Sequence, residues 1–343
     1  MRVLLTGHNG YIGSVMLPVL QAAGHDVVGL DTFYFRECTL ADGTERAPVL
    51  HKDIRDLRSS DLEGFDAVIH LAALCNDPLG DLHADWTYDI NHRASVDLAR
   101  MARDAGVKRY LYASSCSMYG AAGNDDLLSE DAPLRPLTAY AISKVRTEED
   151  VAKLADSSFS PVFMRNATAY GVSPRLRADV VLNNLVCWAH TTGRIRIQSD
   201  GTPWRPIVHV LDISRAFAAA LTAPREAIHN QAFNVGANGE NYQVRELAEI
   251  VRATVAGCTV EYAEGAGPDP RSYRVDFSKL MRTFPDFRPQ WNASFGAKDL
   301  YDALQEAGVT LADFQGRRFI RLAQIRHLLD QGRLDRDLRW ARA

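Results

Sequence analysis

The sequence predicts an α/β chain, built as a doubly wound parallel sheet with a smaller C-terminal lobe. Three observations predict it. Short apolar strands alternate with amphipathic helices through the first half of the chain. The first strand runs straight into a glycine turn, Gly7-His8-Asn9-Gly10-Tyr11-Ile12-Gly13, that opens a helix. After Arg165 the alternation gives way to shorter segments and loops.

The elements follow in order. Arg2–Leu5 reads as a short buried strand and Ile12–Ala23 as a helix, with Pro18 inside it as a source of a kink or loosened turn. Asp26–Leu30 is a second strand, ending at Asp31, and Ala67–Leu71 another. Trp86–Ala105 is a long helix with Ile90, Ala94, Leu98 and Met101 on one face. Arg109–Ala113 is a strand, Tyr140–Ala155 a helix and Pro161–Arg165 a strand. Such βαβ alternation buries a parallel sheet between helices. Later loops fall at Gly171–Arg177, Ser199–Pro206 and Gly236–Asn241, and Gly265 to Pro270 is a breaker cluster. The last stretch, Leu311–Leu338, reads as a helical cover.

Composition narrows the partners. The chain has 343 residues, 46% hydrophobic and 24% charged, with a net charge of −4, as expected of a large globular protein with two lobes. That balance gives no footprint for nucleic acid or an anionic membrane. No apolar run is long enough to span a membrane, and the N-terminus lacks a signal-peptide pattern. The five cysteines are odd in number and none pairs as CxxC, which fits reduced thiols in a cytoplasmic protein and no metal site. Arg317, Arg318, Arg321 and Arg326 cluster near the end and read as a solvated helix face.

The glycine turn carries the first functional signal. Glycines let the backbone turn tightly and approach a pyrophosphate, while the helix start offers free amides and a positive dipole. Asp31 lies 18 residues after Gly13, where a carboxylate accepts from the adenosine ribose hydroxyls and repels a 2′-phosphate. This favours NAD over NADP, with Arg36 the one nearby residue on the NADP side. Residues 1–167 are therefore expected to form a Rossmann-type NAD-binding domain, to which the chain returns around 207–236. Residues 168–343 make the substrate-binding lobe and helical cover.

Tyr140-Ala141-Ile142-Ser143-Lys144 supplies the second signal. Four residues apart on a helix, a phenol and an ammonium share one face. The cation stabilises phenolate, so Tyr140 can take a proton from a hydroxyl while hydride leaves the same carbon. The serine-rich segment Ser114-Ser115-Cys116-Ser117 ends a strand, where side chains of a doubly wound fold face the cofactor. Ser115 could hold the substrate oxygen opposite Tyr140. Asn76-Asp77-Pro78 lines the pocket or forms a turn, and Trp204 stacks on a ligand or packs in the core.

With these motifs in this order, the chain resembles the extended short-chain dehydrogenase/reductase family, which acts mostly on nucleotide-activated sugars. The matching residues are Thr6-Gly7-x-x-Gly10-Tyr11-Ile12-Gly13, Asp31, Asp53-Ile54, His70 to Ala73, Asn91, Ser114-Ser115-x-Ser117-x-Tyr119-Gly120 and Tyr140-x-x-x-Lys144. Tyr170-Gly171, Asn183 to Leu185 and Arg205-Pro206-Ile207-Val208-His209-Val210-x-Asp212 follow. The resemblance implies that Asp53 and Ile54 sit by the adenine, that Leu71, Ala72, Ala73 and Asn91 line the cofactor, and that Ser115, Tyr140 and Lys144 are catalytic. It implies Asn184 and Arg205 at the nucleotide diphosphate. Asn76, Ser117, Thr168 and Arg271 complete the expected substrate set. Thr168 stands where related epimerases carry asparagine.

Within the family the pattern looks most like the sugar 4-epimerases related to UDP-galactose 4-epimerase. The expected activity is NAD-dependent epimerisation of a nucleotide sugar, with C4 as the carbon oxidised and re-reduced. The 4,6-dehydratases carry Thr-Asp-Glu where this chain has Ser115-Cys116-Ser117, and the UDP-glucuronate decarboxylases a glutamate at Ser117, which argues against both. A reductase or dehydrogenase with net turnover of NAD(P)H, and a dinucleotide-sensing regulator without chemistry, stay as alternatives. The helices Trp86–Ala105 and Tyr140–Ala155 resemble a pair that forms a four-helix homodimer interface in this family.

Overall fold

The computed structural model describes residues 1–40, 47–75, 83–121, 127–265, 267, 269 and 271–341. Seven parallel strands form its central sheet: β1 (Arg2–Thr6), β2 (Asp26–Asp31), β3 (Val49–His51), β4 (Ala67–His70), β5 (Arg109–Ser115), β6 (Ser160–Asn166) and β7 (Gln231–Val235). Their order across the sheet is β3-β2-β1-β4-β5-β6-β7. The order reverses between β1 and β4, so a crevice opens at the carboxyl ends of those two strands. The glycine turn leaves β1 there.

The strands are apolar on both faces because helices cover both. Val3, Leu5, Val27 and Ile69 pack with Met16, Leu20, Phe217 and Leu221 on one side. Leu4, Val28, Val68 and Tyr110 pack with Leu98, Ala102 and Val151 on the other. The helix Gly13–Ala22 runs uninterrupted through Pro18, whose ring is exposed.

The long helix expected at 86–105 begins with a turn at Ala84–Thr87, widens into a π turn at Tyr88–Arg93 and continues as Ala94–Asp104. The widening has a local cause. The carbonyl of Asn91 takes a hydrogen bond from Thr147 Oγ1 at 2.9 Å on the neighbouring helix Ala139–Ala152. Competition of this kind for a backbone carbonyl is a common origin of a π bulge.

After β6 the chain builds a second body. Trp204–His209 pairs in parallel with Thr168–Tyr170 and antiparallel with Asn241–Gln243. The helices Val181–Thr192, Val244–Thr254 and Ala293–Glu306 bury Leu182, Leu185, Leu247, Val251, Leu300 and Leu304 in a third apolar cluster. Between these segments, β7 rejoins the central sheet beside β6.

The tail packs as a cover on the first half of the chain. Ile325 and Leu328 of the helix Arg321–Asp330, then Leu334 and Leu338, are buried among Leu30, Tyr34, Ile54 and Leu57 of the first half. Arg321 is 4% exposed and donates to the carbonyl of Arg175 at 2.6 Å. The solvated-face reading of that arginine is therefore corrected: the tail folds back onto the core and carries Arg321 inward. Arg317 and Arg318 do stand nearer the surface, paired with Glu37 and Asp313.

No helix among the described residues is long and apolar enough to cross a membrane. Each of the five cysteines is free.

Candidate active site

A cavity of about 940 Å³ opens at the sheet's crevice. Gly7, Gly10, Tyr11, Ile12 and Gly13 form one wall, and Asp31, Asp53, Ile54, Leu71, Ala72 and Ala73 continue it. The turn is closed too tightly for side chains. A Cβ on Gly13 would stand 2.2 Å from the Gly7 carbonyl oxygen, and one on Gly7 would stand 2.8 Å from the Ala72 nitrogen. Gly7 also has φ of +73°, in the left-handed region. Backbone thus lies bare at the start of a ten-residue helix, which is the cradle a pyrophosphate needs.

Asp31 ends β2 beside this turn. Its carboxylate accepts from the backbone amides of Phe33 at 2.7 Å and Asn9 at 3.1 Å. Burial pushes its pKa up, and these amides and His8 pull the other way. Phe33 is held at φ of +60°, an uncommon conformation for an aromatic residue, and its ring stacks on His51 at 4.4 Å. Asp53 is committed to Arg55 at 2.7 Å and caps the short turn that presents Ile54. Asn91 stands behind the wall and is fully buried. Its amide group accepts from Leu74 N at 2.7 Å and donates to Leu74 O at 3.0 Å. It shapes the strand-end segment that borders the cavity and does not line the cavity itself.

The centre of the cavity carries Ser115, Ser117, Tyr140 and Lys144. Ser115 closes β5, and Thr138 caps the helix that presents Tyr140 and Lys144. Ser115 is the neighbouring polar group that favours the Tyr140 phenolate. Lys144 Nζ donates to the Ala113 carbonyl at 2.6 Å and lies 4.5 Å from the Tyr112 ring centre and 5.6 Å from that of Tyr140. Burial pulls Lys144 down to about 8.

Burial likewise drives the Tyr140 phenol well above its ordinary value, opposed by Ser115 and by the charge of Arg177. Lowering of Tyr140 towards neutrality is expected from Lys144 together with the positive nicotinamide ring, and among the chain's own groups burial is the larger effect. The ammonium is bound to a carbonyl under the ring, and the same burial that strengthens its field also penalises the phenolate.

Thr168, Asn184, Arg205 and Arg271 border the far end. Arg205 pairs with Asp269 at 2.7 Å, and Arg271 with the same carboxylate at 2.8 Å. Two guanidiniums so placed suit phosphate. Asn184 donates to the carbonyl of Ala178 at 2.9 Å. Ser117 Oγ and Asn166 Oδ1 are buried at the cavity wall without a hydrogen-bond partner among the described residues, which fits a wall shaped for a polar ligand. Trp204 is not on the cavity; Arg274 lies over its ring at 4.7 Å. Asn76 falls outside the described residues.

Sequence reading missed Arg177 and Asp179. They form an ion pair of 2.9 Å that lines the cavity, and Arg177 acts on Tyr140. As isolated charges in a loop they carry no spacing signal. Among the described residues no group of three or more His, Cys, Asp or Glu could hold a metal ion.

The profile of the NAD dependent epimerase/dehydratase family matches residues 3–236. The chain belongs to that family. It is an NAD-dependent enzyme of the extended short-chain dehydrogenase/reductase type, and NAD is the cofactor its cradle fits. Among curated relatives, the UDP-glucose 4-epimerase of Corynebacterium glutamicum is 30% identical over 273 residues, covering 74% of this chain and 80% of the relative. The UDP-glucose 4-epimerase of Mycolicibacterium smegmatis is 31% identical, covering 82% and 89%.

Among solved structures, a dTDP-glucose 4,6-dehydratase from Streptomyces venezuelae, determined with NAD bound, aligns with a TM-score of 0.76 at 26% identity. That match covers 89% of this chain and 97% of the other. MoeE5 in complex with UDP-glucuronic acid and NAD aligns with a TM-score of 0.76 at 25% identity, covering 90% and 100%.

Proposed function

We propose that this enzyme is an epimerase of a nucleotide-linked sugar, oxidising one ring hydroxyl, at C4, to a transient ketone and reducing it again on the other face. The observation that carries the reading is the meeting of Ser115, Tyr140 and Lys144, with Lys144 Nζ 5.6 Å from the Tyr140 ring centre, in a cavity whose one end fits NAD and whose other end holds Arg205 and Arg271. The epimerases and nucleotide-sugar complexes among its relatives support the same substrate class.

Bound in this cradle, NAD supplies a reversible acceptor for hydrogen and its electron pair. Gly7, Gly10 and Gly13 would leave room for the pyrophosphate at the helix start, and Asp31 would hold the adenosine ribose. Arg205 and Arg271 hold the sugar's diphosphate, with Asn184 beside them. Tyr140 accepts the hydroxyl proton as the carbon is oxidised and returns it when the ketone is reduced. Ser115 donates its one hydroxyl proton to the reacting oxygen. Lys144 and Arg177 supply the positive field that a buried phenolate requires. No net redox change results.

Elimination of water needs an acid and base where this chain has Cys116 and Ser117. Cys116 is fully buried, its thiol bonded to the Arg165 carbonyl, and burial pushes that thiol far up. It can serve neither role.

A homodimer and a cytoplasmic location belong to the same reading. The outward faces of the helices Ala94–Asp104 and Ala139–Ala152 carry Asp97, Arg100, Arg146 and Glu149, so a dimer built there meets through charges. Sedimentation of the purified chain tests the dimer, and fractionation of cells the location. The function is tested with UDP-, GDP-, CDP- and dTDP-sugars incubated without added NAD. A new epimer of one of them is expected. Loss of water from the sugar, or turnover only with added NAD(P)H, would overturn the reading.

A further inference from the structure

The C-terminal tail lies against the adenosine end of the cofactor site. A second cavity, about 710 Å³, adjoins the first. Asp31, Thr32, Tyr34, Lys52 and Asp53 border both cavities. The outer wall of the second comes from the tail, through Gln324, Leu328, Arg333, Arg339 and Trp340.

The contacts of the tail fall on residues that flank the ribose carboxylate. Trp340 Nε1 donates to the Thr32 carbonyl at 2.6 Å. The Tyr34 hydroxyl donates to the Leu338 carbonyl, and Gln324 donates to the Tyr34 carbonyl at 3.1 Å. Arg55, which pairs with Asp53, also donates to the carbonyls of Asp337 at 2.8 Å and Leu338 at 3.1 Å. Arg339 pairs with Asp56 at 2.7 Å and lies 3.5 Å from Asp53.

Leu338 is fully buried and held at φ of +54°, so the chain turns sharply inward to seat it. Such a conformation persists only where the surroundings over-determine it. Solvated ends fray and carry few tertiary bonds. This one is tied at both the backbone and the side chains.

We propose that residues 331–341 are a working part of the cofactor site, a strap that closes its adenosine end and slows the departure of NAD. The proposal deepens the epimerase reading and rests on it, since a cofactor recycled within each turnover gains from slow release. The strap fixes Thr32, Tyr34 and Asp53, and through Thr32 and Tyr34 the segment after Asp31. Adenosine can leave only when these bonds open together. Affinity differences of this kind appear mainly in dissociation rates.

The test compares the full chain with Trp340→Ala, Arg339→Ala and a chain ending at Asp330. NAD release is followed by dilution into a coupled enzyme that consumes free NAD, and folding by thermal melting. Trp340 is 39% exposed and Arg339 stands at the edge of the tail, so both point variants keep the fold even where the shortened chain does not. Release about tenfold or more faster in the point variants, with the KM for the sugar unchanged, is expected. Release at the rate of the full chain in both would overturn the strap. The absolute rate in the full chain is a separate reading. Rapid loss of NAD there contradicts retention between turnovers, while the ratio between variants and full chain still decides the strap.

Discussion

Lys144 lies beneath the ring of Tyr140, its Nζ 5.6 Å from the ring centre and 2.6 Å from the Ala113 carbonyl oxygen. The lysine therefore acts on the phenol through space and through the helix that both share. The neighbouring hydroxyl that favours the phenolate is Ser115. Proton transfer is thereby divided among Tyr140 as acid and base, Ser115 as a neighbouring hydroxyl, and two buried cations.

Tyr140→Phe removes the proton acceptor and little volume. Turnover should fall by about 10²–10⁴-fold while NAD stays bound and the melting temperature is nearly unchanged. Steady-state rates and the absorbance of bound cofactor check this. A variant that keeps wild-type turnover would remove Tyr140 from the mechanism.

Lys144 gives a stability prediction with a definite sign. Its folded pKa of about 8 lies below the ordinary 10.5, so between those values the unfolded chain binds more protons. The lysine's contribution to stability is thus full above 10.5, and is lost as pH falls to about 8. Lys144→Met has no such group. Relative to it, the wild type should gain roughly 2–3 kcal/mol on going from pH 8 to 10.5, measured by denaturant unfolding. Parallel curves for the two proteins would contradict the assignment.

Much of this site was legible in the sequence, for local reasons. The glycine turn, Asp31 and the Tyr140–Lys144 pair are defined by spacing within one βα unit, and the fold keeps that spacing. Asn91 was legible as a site residue but not as a brace, because its partner Leu74 lies in another segment. Arg177, Asp179 and Arg321 could not be read, since only the folding of the second body and the tail brings them to the cavity. The arginines of the tail read as a solvated face because they are spaced among its buried leucines.

Gly13→Ala should abolish the cradle. The added methyl meets the Gly7 carbonyl at 2.2 Å and His8 Cα at 2.6 Å, both backbone atoms that cannot swing away. Purified variant should carry little or no NAD, with a loss of stability of about 1–3 kcal/mol from overpacking. Stoichiometric NAD in the variant would show that the turn moves freely and is not the pyrophosphate seat.

Arg205→Ala removes a guanidinium from the far end. Its partner Asp269 retains Arg271, so the loop keeps an anchor. The KM for the nucleotide sugar should rise by about 10–100-fold with a smaller change in turnover, and NAD retention should not change. A fall in NAD content instead would place Arg205 on the cofactor.

The central claim is that hydrogen leaves and returns to one carbon inside a single enzyme-bound cycle. The direct measurement is an incubation of the accepted nucleotide sugar, deuterated at C4, with purified enzyme and no added NAD. The account predicts that the epimer forms with deuterium retained at C4 and with no free NADH. Deuterium missing from C4 of the epimer, or deuterium released from the enzyme as free reduced cofactor, would contradict it.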